Sequence, residues 1–379
     1  MRVLLDYRPA LKERTGVGEY AHQLARALLA AFSKDGTGRG EGGLELALFS
    51  SSWKDRLEPS AEIEGAIPID RRVPGKVLNF AWHRLGWPAA ELITGRTFDV
   101  THSLHPLLLP ARHAAQVITI HDLDFLSHPE RTRAEIRRDY PALARRHARR
   151  ADGIVVISQF TAREVERQLG VPSDRITVCT PGAPPWEPRH QAPADGYILF
   201  VGTLEPRKNV GGLLDAYEQL VTRRRAVPRL VLAGKAPPDA SSWLDRIARA
   251  PLAGRVEHIG YVEAPNRRAL YEGARLLVQP SFDEGFGIPV LEAMTIGVPV
   301  VASNRGALPE VVGDAGVLVD PAEDGALASA LERLIDDDAL ARACVSKGVA
   351  RSHQFSWDRM AREVYAAYER AIERRCVSA

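Results

Sequence analysis

The stretch Gln279 to Ser303, QPSFDEGFGIPVLEAMTIGVPVVAS, decides how this chain is read. The apolar run Leu276, Leu277, Val278 leading into it reads as a buried strand. The glycine-flanked Phe286 followed by Pro289 marks a loop that becomes a helix at Pro289, where a missing N–H costs nothing. Gly285 and Gly287 let the main chain approach a ligand closely, and the free N–H groups and dipole of the new helix suit a phosphate. Two carboxylates flank the turn, Glu284 in the loop and Glu292 about one helical turn past Pro289, so both can face one ligand roughly 5 to 10 Å long, the size of a nucleotide sugar. The plainer account makes Glu292 a complement to the helix dipole and Glu284 a solvated loop charge.

Working outward, short apolar runs alternate with longer segments along the whole chain. Val3 to Leu5, Leu46 to Phe49, Val117 to Ile120, Ile154 to Ile157 and Ile176 to Val178 precede a proline-rich link. Ile198 to Val201, Leu230 to Ala233, Val256 to Ile259, Leu276 to Val278, Pro299 to Ala302 and Val317 to Val319 follow it. The pattern predicts an α/β protein of two Rossmann-like domains, residues 1–185 and 195–355, with motifs at the strand ends facing one shared cleft. Trp357 to Ile372 has the spacing of an amphipathic helix, with Met360, Val364, Tyr365, Tyr368 and Ile372 on one side.

Composition bounds the rest. At 379 residues and 45% hydrophobic content, two domains with full cores are expected. A net charge of +2 makes no general case for a polyanionic partner. Cys179, Cys344 and Cys376 are scattered without metal-ligand spacing, which reads as a reduced cytoplasmic protein; no signal peptide and no apolar run near the roughly 20 residues of a membrane span is visible.

Several motifs sit at strand ends. Arg14-Thr-Gly-Val-Gly-Glu-Tyr-Ala21 fits G-x-G-x-x-A through Gly16, Gly18 and Ala21, but the gap after Tyr7 is too long for a dinucleotide turn, and the second strand ends in Ser50, Ser51 and Ser52 with no acid for a ribose. A nicotinamide dehydrogenase is therefore rejected. Gln116 to Asp124 runs a buried strand into His121 and Asp122, where an α/β sheet presents reactive groups, although a lone histidine is equally a structural hydrogen bonder. Gly202-Thr-Leu-Glu-Pro-Arg-Lys-Asn209 places Arg207 and Lys208 at a helix entrance, a guanidinium and an ammonium suited to a diphosphate. Lys34 to Gly43, KDGTGRGEGG, reads as a mobile surface loop. Arg71 to Pro88 mixes basic and aromatic residues and reads as a packed short helix, with a lipid headgroup or acceptor sugar as the alternative. From Arg131 to Arg150 the chain carries eight arginines against Glu135 and Asp139, a solvated helix face or a contact with anionic lipid or a phosphorylated acceptor. Pro141 argues against one unbroken helix there, and no reader motif accompanies the charge, so nucleic acid is not expected.

The opening stretch is similar to the Glu-x7-Glu region of retaining GT-B glycosyltransferases, in particular glycosyltransferase family 4, whose typical wording is EGFGLPxLEAMAxGxPVVAS. RTGVGEY, VITIHDLDFL, VGTLEPRKN, ALPEVVGDAGVLVDP and the FSW before the last helix extend the resemblance over almost the whole chain. It implies a GT-B fold whose C-terminal helix, 356–375, crosses back onto the first domain, and transfer of a hexose from a nucleoside-diphosphate sugar, GDP-mannose favoured, to a glycan or lipid-linked hydroxyl. The resemblance carries diphosphate binding to Gly16, Gly18, Arg207 and Lys208, close backbone approach to Gly202, donor contacts to Gly285, Phe286 and Gly287, and the transferred sugar to His121; helix position leaves Glu292 near the ribose of the nucleotide, and the glycine loop carries Glu284 towards the reacting sugar. It further implies retention of anomeric configuration. Asp122-Leu123-Asp124 reads as D-x-D and invites a divalent ion, but the cations and helix entrance already supply positive potential, so no metal or other cofactor is expected. The competing readings are a GT-B nucleotide-sugar epimerase and a non-catalytic binding protein; the second should lack Glu284 and Glu292.

Overall fold

The structure is a computed structural model that describes residues 1–11, 14, 16–32, 43–58, 60–131 and 134–378, without the side chains of 131–138 and 378. The glycine-rich stretch at 34–42 lies outside the described residues. The chain forms two compact units, Met1–Gly182 with Ser356–Ala379, and Ala183–Phe355.

The first unit is built on a seven-stranded sheet: β1 (Arg2–Asp6), β2 (Glu45–Ser51), β3 (Ile67–Arg71), β4 (Val100–Ser103), β5 (Ala115–Ile120), β6 (Gly153–Val156) and β7 (Ile176–Val178). Their order is β3-β2-β1-β4-β5-β6-β7, and every pair is parallel. The second unit carries a six-stranded parallel sheet of β8 (Tyr197–Val201), β9 (Leu230–Ala233), β10 (Val256–Gly260), β11 (Ala274–Gln279), β12 (Val300–Ser303) and β13 (Val317–Val319), ordered β10-β9-β8-β11-β12-β13. Strands of such sheets are covered on both faces, which is why most of them appear in the sequence as unbroken apolar runs.

Both orders reverse direction once, between β1 and β4 and between β8 and β11. At such a switch point the connecting segments leave toward opposite sides and open a crevice at the carboxyl ends of the two central strands. The two reversals therefore name in advance where each unit should hold a ligand.

Two strands and one helix differ from the sequence expectation. β3 contains Pro68, which a sheet tolerates on an edge strand, and β3 pairs only with β2. β4 reads VTHS, too short and polar to stand out, yet Val100, Thr101, His102 and Ser103 are all buried because strands pair on both sides of it. The helix Ala134–Arg150 runs unbroken through Pro141. Proline removes one internal hydrogen bond, while burial of Ala144, His147 and Ala148 one and two turns later keeps the helix seated.

The C-terminal helix, Trp357–Ser378, belongs to the first unit as expected. Its Met360, Val364 and Tyr368 are fully buried, and Tyr365 stacks on Phe32 of the helix Val17–Phe32 with ring centroids 4.1 Å apart.

Tyr368 also reaches the histidines that characterise this unit. His102 Nδ1 lies 2.7 Å from the Tyr368 hydroxyl and its Nε2 lies 2.8 Å from Thr119 Oγ1. His147 Nδ1 accepts the Leu108 N–H at 3.0 Å, which leaves its Nε2–H for the His83 carbonyl at 3.3 Å. Burial disfavours the imidazolium and lowers His102 and His83 to about 3 and His147 to about 4. The unfolded chain takes these protons near pH 6.5, so below that pH it binds more protons than the folded one and stability falls as pH drops toward the folded values. Each histidine contributes up to about 1.4 kcal/mol per pH unit in that window. Hydrogen exchange of peptides covering residues 100–120, corrected for intrinsic rates, is expected to show protection falling between pH 6.5 and 4.5. His102→Leu is expected to be less protected at pH 7 but to lose less on acidification, and parallel pH slopes for variant and parent would contradict the assignment.

Candidate active site

The second unit's switch point gathers the motifs of the quoted stretch. β8 ends at Val201, and a single turn of 3-10 helix, Pro206–Lys208, carries Arg207 and Lys208. Asn209 ends that turn with φ +54°, the left-handed conformation that asparagine tolerates best among non-glycine residues, and its side chain accepts the Gly212 N–H at 3.2 Å to cap the helix Val210–Arg223. One residue thus sharply ends the cation-bearing turn and starts the next helix.

On the neighbouring strand β11, the loop 280–286 is laced to both sides. Phe282 N–H donates to Arg207 O at 2.9 Å, Ala307 N–H to Glu284 O at 2.8 Å, and Ser303 Oγ to Ser281 O at 2.6 Å. Gly306, at φ +62°, passes so close that a Cβ there would sit 2.6 Å from both Glu284 N and Glu284 O. The helix that follows, Ile288–Ile296, starts one residue before Pro289, and its N-cap Gly287 has φ +110°. A side chain at Gly287 would meet Leu308 Cδ2 at 2.7 Å. Pro289 has no N–H, and the Val290 and Leu291 N–H groups donate to Gly287 O at 3.0 and 3.2 Å, so of the first turn only Ile288 can offer its N–H to a ligand.

Glu284 is the hub. Its carboxylate is buried; Oε1 accepts from Lys208 Nζ, from Gln279 Nε2 at 2.9 Å and from Ser281 Oγ at 2.9 Å, while Oε2 lies 3.5 Å from Arg207 Nη1. Burial pushes this carboxyl up, but Lys208 and Arg207 together outweigh it and hold it at about 2. Arg207 also donates to Asp283 O at 3.0 Å and to Glu205 Oε1 at 2.9 Å. The arrangement is two cations and a permanent carboxylate at a crevice, beside the start of a helix. Such a site can stabilise negative charge that develops on a departing phosphate. It cannot use Glu284 as a proton donor at neutral pH.

Glu292, in the middle of the Ile288–Ile296 helix, is buried and makes its own pair: Oε1 with Arg267 Nη2 at 2.7 Å and Oε2 with the Tyr271 hydroxyl at 2.7 Å. The side chain of Phe286 packs against Phe355 with centroids 5.7 Å apart, so only its backbone is left to face a ligand. Gly202 follows β8, and its N–H donates to Ala233 O at 2.9 Å.

The remaining sequence candidates lie in the first unit. His121 follows β5; its Nε2 lies 3.2 Å from Leu104 O, and the Tyr20 ring meets it edge-on at 4.8 Å. Burial lowers it to about 4, against a smaller opposing effect of Asp122, so it is a neutral imidazole whose Nε2–H donates to Leu104 and whose Nδ1 is an acceptor. Gly16 has φ +46°, and Gly18 is the second residue of the helix Val17–Phe32, where the backbone N–H is free of the helix. Asp122 Oδ1 accepts the Asp124 N–H at 3.3 Å, and Asp124 pairs with His128 at 3.0 Å, so both acids of the D-x-D have partners within the turn.

Gln279 and Ser281 stood inside the quoted stretch but were not singled out; a polar pair at a strand end just before a buried acid was the available signal. Arg267 and Tyr271 carried no signal, since nothing in their spacing points to Glu292.

The profile of the family described as Glycosyl transferases group 1 matches residues 186–351, and that of Glycosyltransferase Family 4 matches residues 14–186. O-antigen chain mannosyltransferase B of Escherichia coli is 30% identical over an alignment covering 97% of this chain and all of that protein. The chain belongs to glycosyltransferase family 4. The enzyme's fold is that of solved GT-B structures: sucrose-phosphate synthase from Thermosynechococcus elongatus matches with a TM-score of 0.78 at 21% identity, covering 97% of this chain and 98% of the other. HepE from Anabaena in complex with UDP and glucose matches with a TM-score of 0.67 at 19% identity, again over 97% and 98%.

The glycosyltransferase's ion cluster makes a specific expectation. Glu284 adds stability at every pH above its unfolded value near 4.5, and this is lost only as pH falls through about 2. Glu284→Gln is therefore expected to lower stability by on the order of 3 kcal/mol, equally at pH 8 and pH 5. The same change removes the counter-charge of Lys208 and one of the two beside Arg207, so inorganic pyrophosphate should bind more tightly. Calorimetric titration with pyrophosphate, paired with hydrogen exchange of residues 274–296, checks both; weaker pyrophosphate binding by the variant would break the account.

Proposed function

We propose that this glycosyltransferase moves a hexose, with mannose and GDP-mannose favoured, from a nucleoside-diphosphate sugar to a hydroxyl of a glycan or lipid-linked acceptor, with retention and without a metal. The observation that carries the reading is the Arg207 and Lys208 pair facing Glu284 across the switch point of β8 and β11. The two cations and the start of the helix at Ile288 suit the donor diphosphate, whose charge grows as the bond from the anomeric carbon to the phosphate oxygen breaks. The acceptor oxygen bonds to that carbon on the same face, and the acceptor's proton passes to the departing phosphate. His121, a neutral imidazole, hydrogen-bonds the sugar and takes no proton. Glu292, held by Arg267 and Tyr271, is assigned to the ribose. The name of the full-length Escherichia coli relative supports mannose, while the UDP in the HepE complex keeps the base a question for experiment.

A thermal-shift panel of GDP, UDP, ADP and dTDP with their sugars tests the donor; a ligand at 100 times its dissociation constant should stabilise by roughly 2.7 kcal/mol. With GDP-mannose, the expected product is α-linked and turnover survives excess EDTA, while His121→Ala loses rate without changing the anomer. A β-linked product by proton NMR, or activity abolished by EDTA and restored by Mn²⁺, would overturn the mechanism.

We also propose contact with anionic lipid through the basic helix. Arg145, Arg146, Arg149 and Arg150 are exposed at its end, and Arg146 donates to the His83 carbonyl at 2.8 Å. That carbonyl belongs to a segment, residues 71–90, with four basic and no acidic residues, on which Phe80 and Trp87 are each 62% exposed. Apolar rings beside arginines form an interfacial anchor. Among the described residues no helix is long and apolar enough to cross a membrane. Sedimentation with phosphatidylglycerol vesicles is expected to carry the protein down at low salt, and Phe80→Ser with Trp87→Ser to weaken it; equal binding to phosphatidylcholine alone would refute a charge-dependent contact.

A further inference from the structure

The two oxygens of the Glu284 carboxylate are held unequally. Oε1 takes three donors: Lys208 Nζ, Gln279 Nε2 at 2.9 Å and Ser281 Oγ at 2.9 Å. Oε2 has one contact among the described residues, Arg207 Nη1 at 3.5 Å. That guanidinium donates at shorter range elsewhere, to Asp283 O at 3.0 Å and to Glu205 Oε1 at 2.9 Å. A carboxylate offers about four lone-pair sites, roughly two on each oxygen, so Oε1 is saturated while Oε2 keeps room for a further donor.

Gln279 creates much of this difference. It is the last residue of β11, it is fully buried, and so is Ser281 two residues on. Its Nε2 also donates to Ser281 Oγ at 3.1 Å. An amide nitrogen only donates, so the serine oxygen accepts there and its own O–H is left to point at Glu284 Oε1. One amide therefore aims two hydrogens at Oε1, its own and the serine's. Turning the amide over would set its oxygen against the carboxylate, so its orientation is fixed by charge. Both anchors are tied to the sheet, Gln279 by its register with Ala302 of β12 and Ser281 by its carbonyl, which accepts Ser303 Oγ at 2.6 Å. The strand end thus dictates how the carboxylate is rotated.

The amide also carries a cost. Its Oε1 is buried with no partner among the described residues, and such a group weighs against folding about as much as a lost hydrogen bond. Leucine would fill the same space at the end of an apolar strand without that burden. What leucine lacks is the pair of N–H groups.

We propose that Gln279 is a positioning residue for transfer: with Ser281 it fixes the rotation of the Glu284 carboxylate, so that Oε2 is the oxygen presented to a hydroxyl of the transferred sugar. The assignment rests on the glycosyl-transfer reading above and deepens it by naming which oxygen of Glu284 acts and what holds it.

Release of GDP from radiolabelled GDP-mannose, with methyl α-D-mannopyranoside or water as acceptor, is followed in single turnover so that slow variants are still measured. Gln279→Leu, and separately Ser281→Ala, are expected to lose at least about tenfold in rate while the apparent donor constant stays within about twofold, the pattern of a contact made mainly in the transition state. GDP binding by calorimetry should be unchanged in both, which also shows that they fold. In a Glu284→Ala background, which has no carboxylate to orient, adding Gln279→Leu is expected to cost less than about a further twofold, because the two side chains act as one unit. Parent-like rates in both single variants, a loss that multiplies in full in the Glu284→Ala background, or a loss confined to the donor constant and GDP binding overturns the proposal. A parent that releases no nucleotide from any donor sugar of the panel above would remove the glycosyl-transfer reading, and this proposal with it.

Discussion

A carboxylate buried beside two cations governs the second unit. Taking Glu284 out of water costs several kcal/mol, and that cost is offset only because Lys208, Arg207, Gln279 and Ser281 are all within reach at once. Removing any one partner leaves a buried charge short of a bond, so the loops after β8 and β11 cannot drift independently. The lacing of Phe282 to Arg207, of Ala307 to Glu284 and of Ser303 to Ser281 follows from that demand, as does the left-handed turn at Asn209. On the proposed function, a diphosphate enters a site whose cations are already oriented and competes there with Glu284 and, at Arg207, also with Glu205. Pre-orientation of this kind is what electrostatic catalysis requires.

Much of this was legible before any coordinates. Parallel strands buried on both faces are mostly apolar along their length, so Val3 to Leu5 and Leu276 to Val278, short runs that alternate with longer segments, read as strands. β4 escaped because its burial is imposed by neighbours: His102 and Ser103 are interior only since β1 and β5 flank them and Tyr368, 266 residues away, supplies a hydrogen bond. Pro141 misled for a similar reason. Propensity counts the lost hydrogen bond, whereas the seating of Ala144, His147 and Ala148 is tertiary and has no local sign.

The site divides along the same line. Arg207, Lys208, Glu284 and the Gly287 turn lie in two contiguous stretches, and contiguity at a strand end is what made their chemistry readable. The holders of Glu292 are different. Arg267 and Tyr271 come from another helix, and neither residue type nor spacing distinguishes them from surface side chains.

The two sheets share a topology rule but place opposite electrostatics at its focus. At the switch point of β8 and β11 the buried groups are ionised, and the cations stand close enough to hold Glu284 at about 2. At that of β1 and β4 the buried His83 and His102 are neutral, Asp6 is paired with Arg8, and Arg84 is paired with Asp139. A crevice of the first kind discriminates by charge, because an uncharged ligand cannot replace the ion pair it disturbs. One of the second kind discriminates by hydrogen-bond geometry, because a charged ligand would lose its hydration there and gain no counter-ion. On the proposed function, the ionised crevice of β8 and β11 is the one whose cations suit the donor's diphosphate.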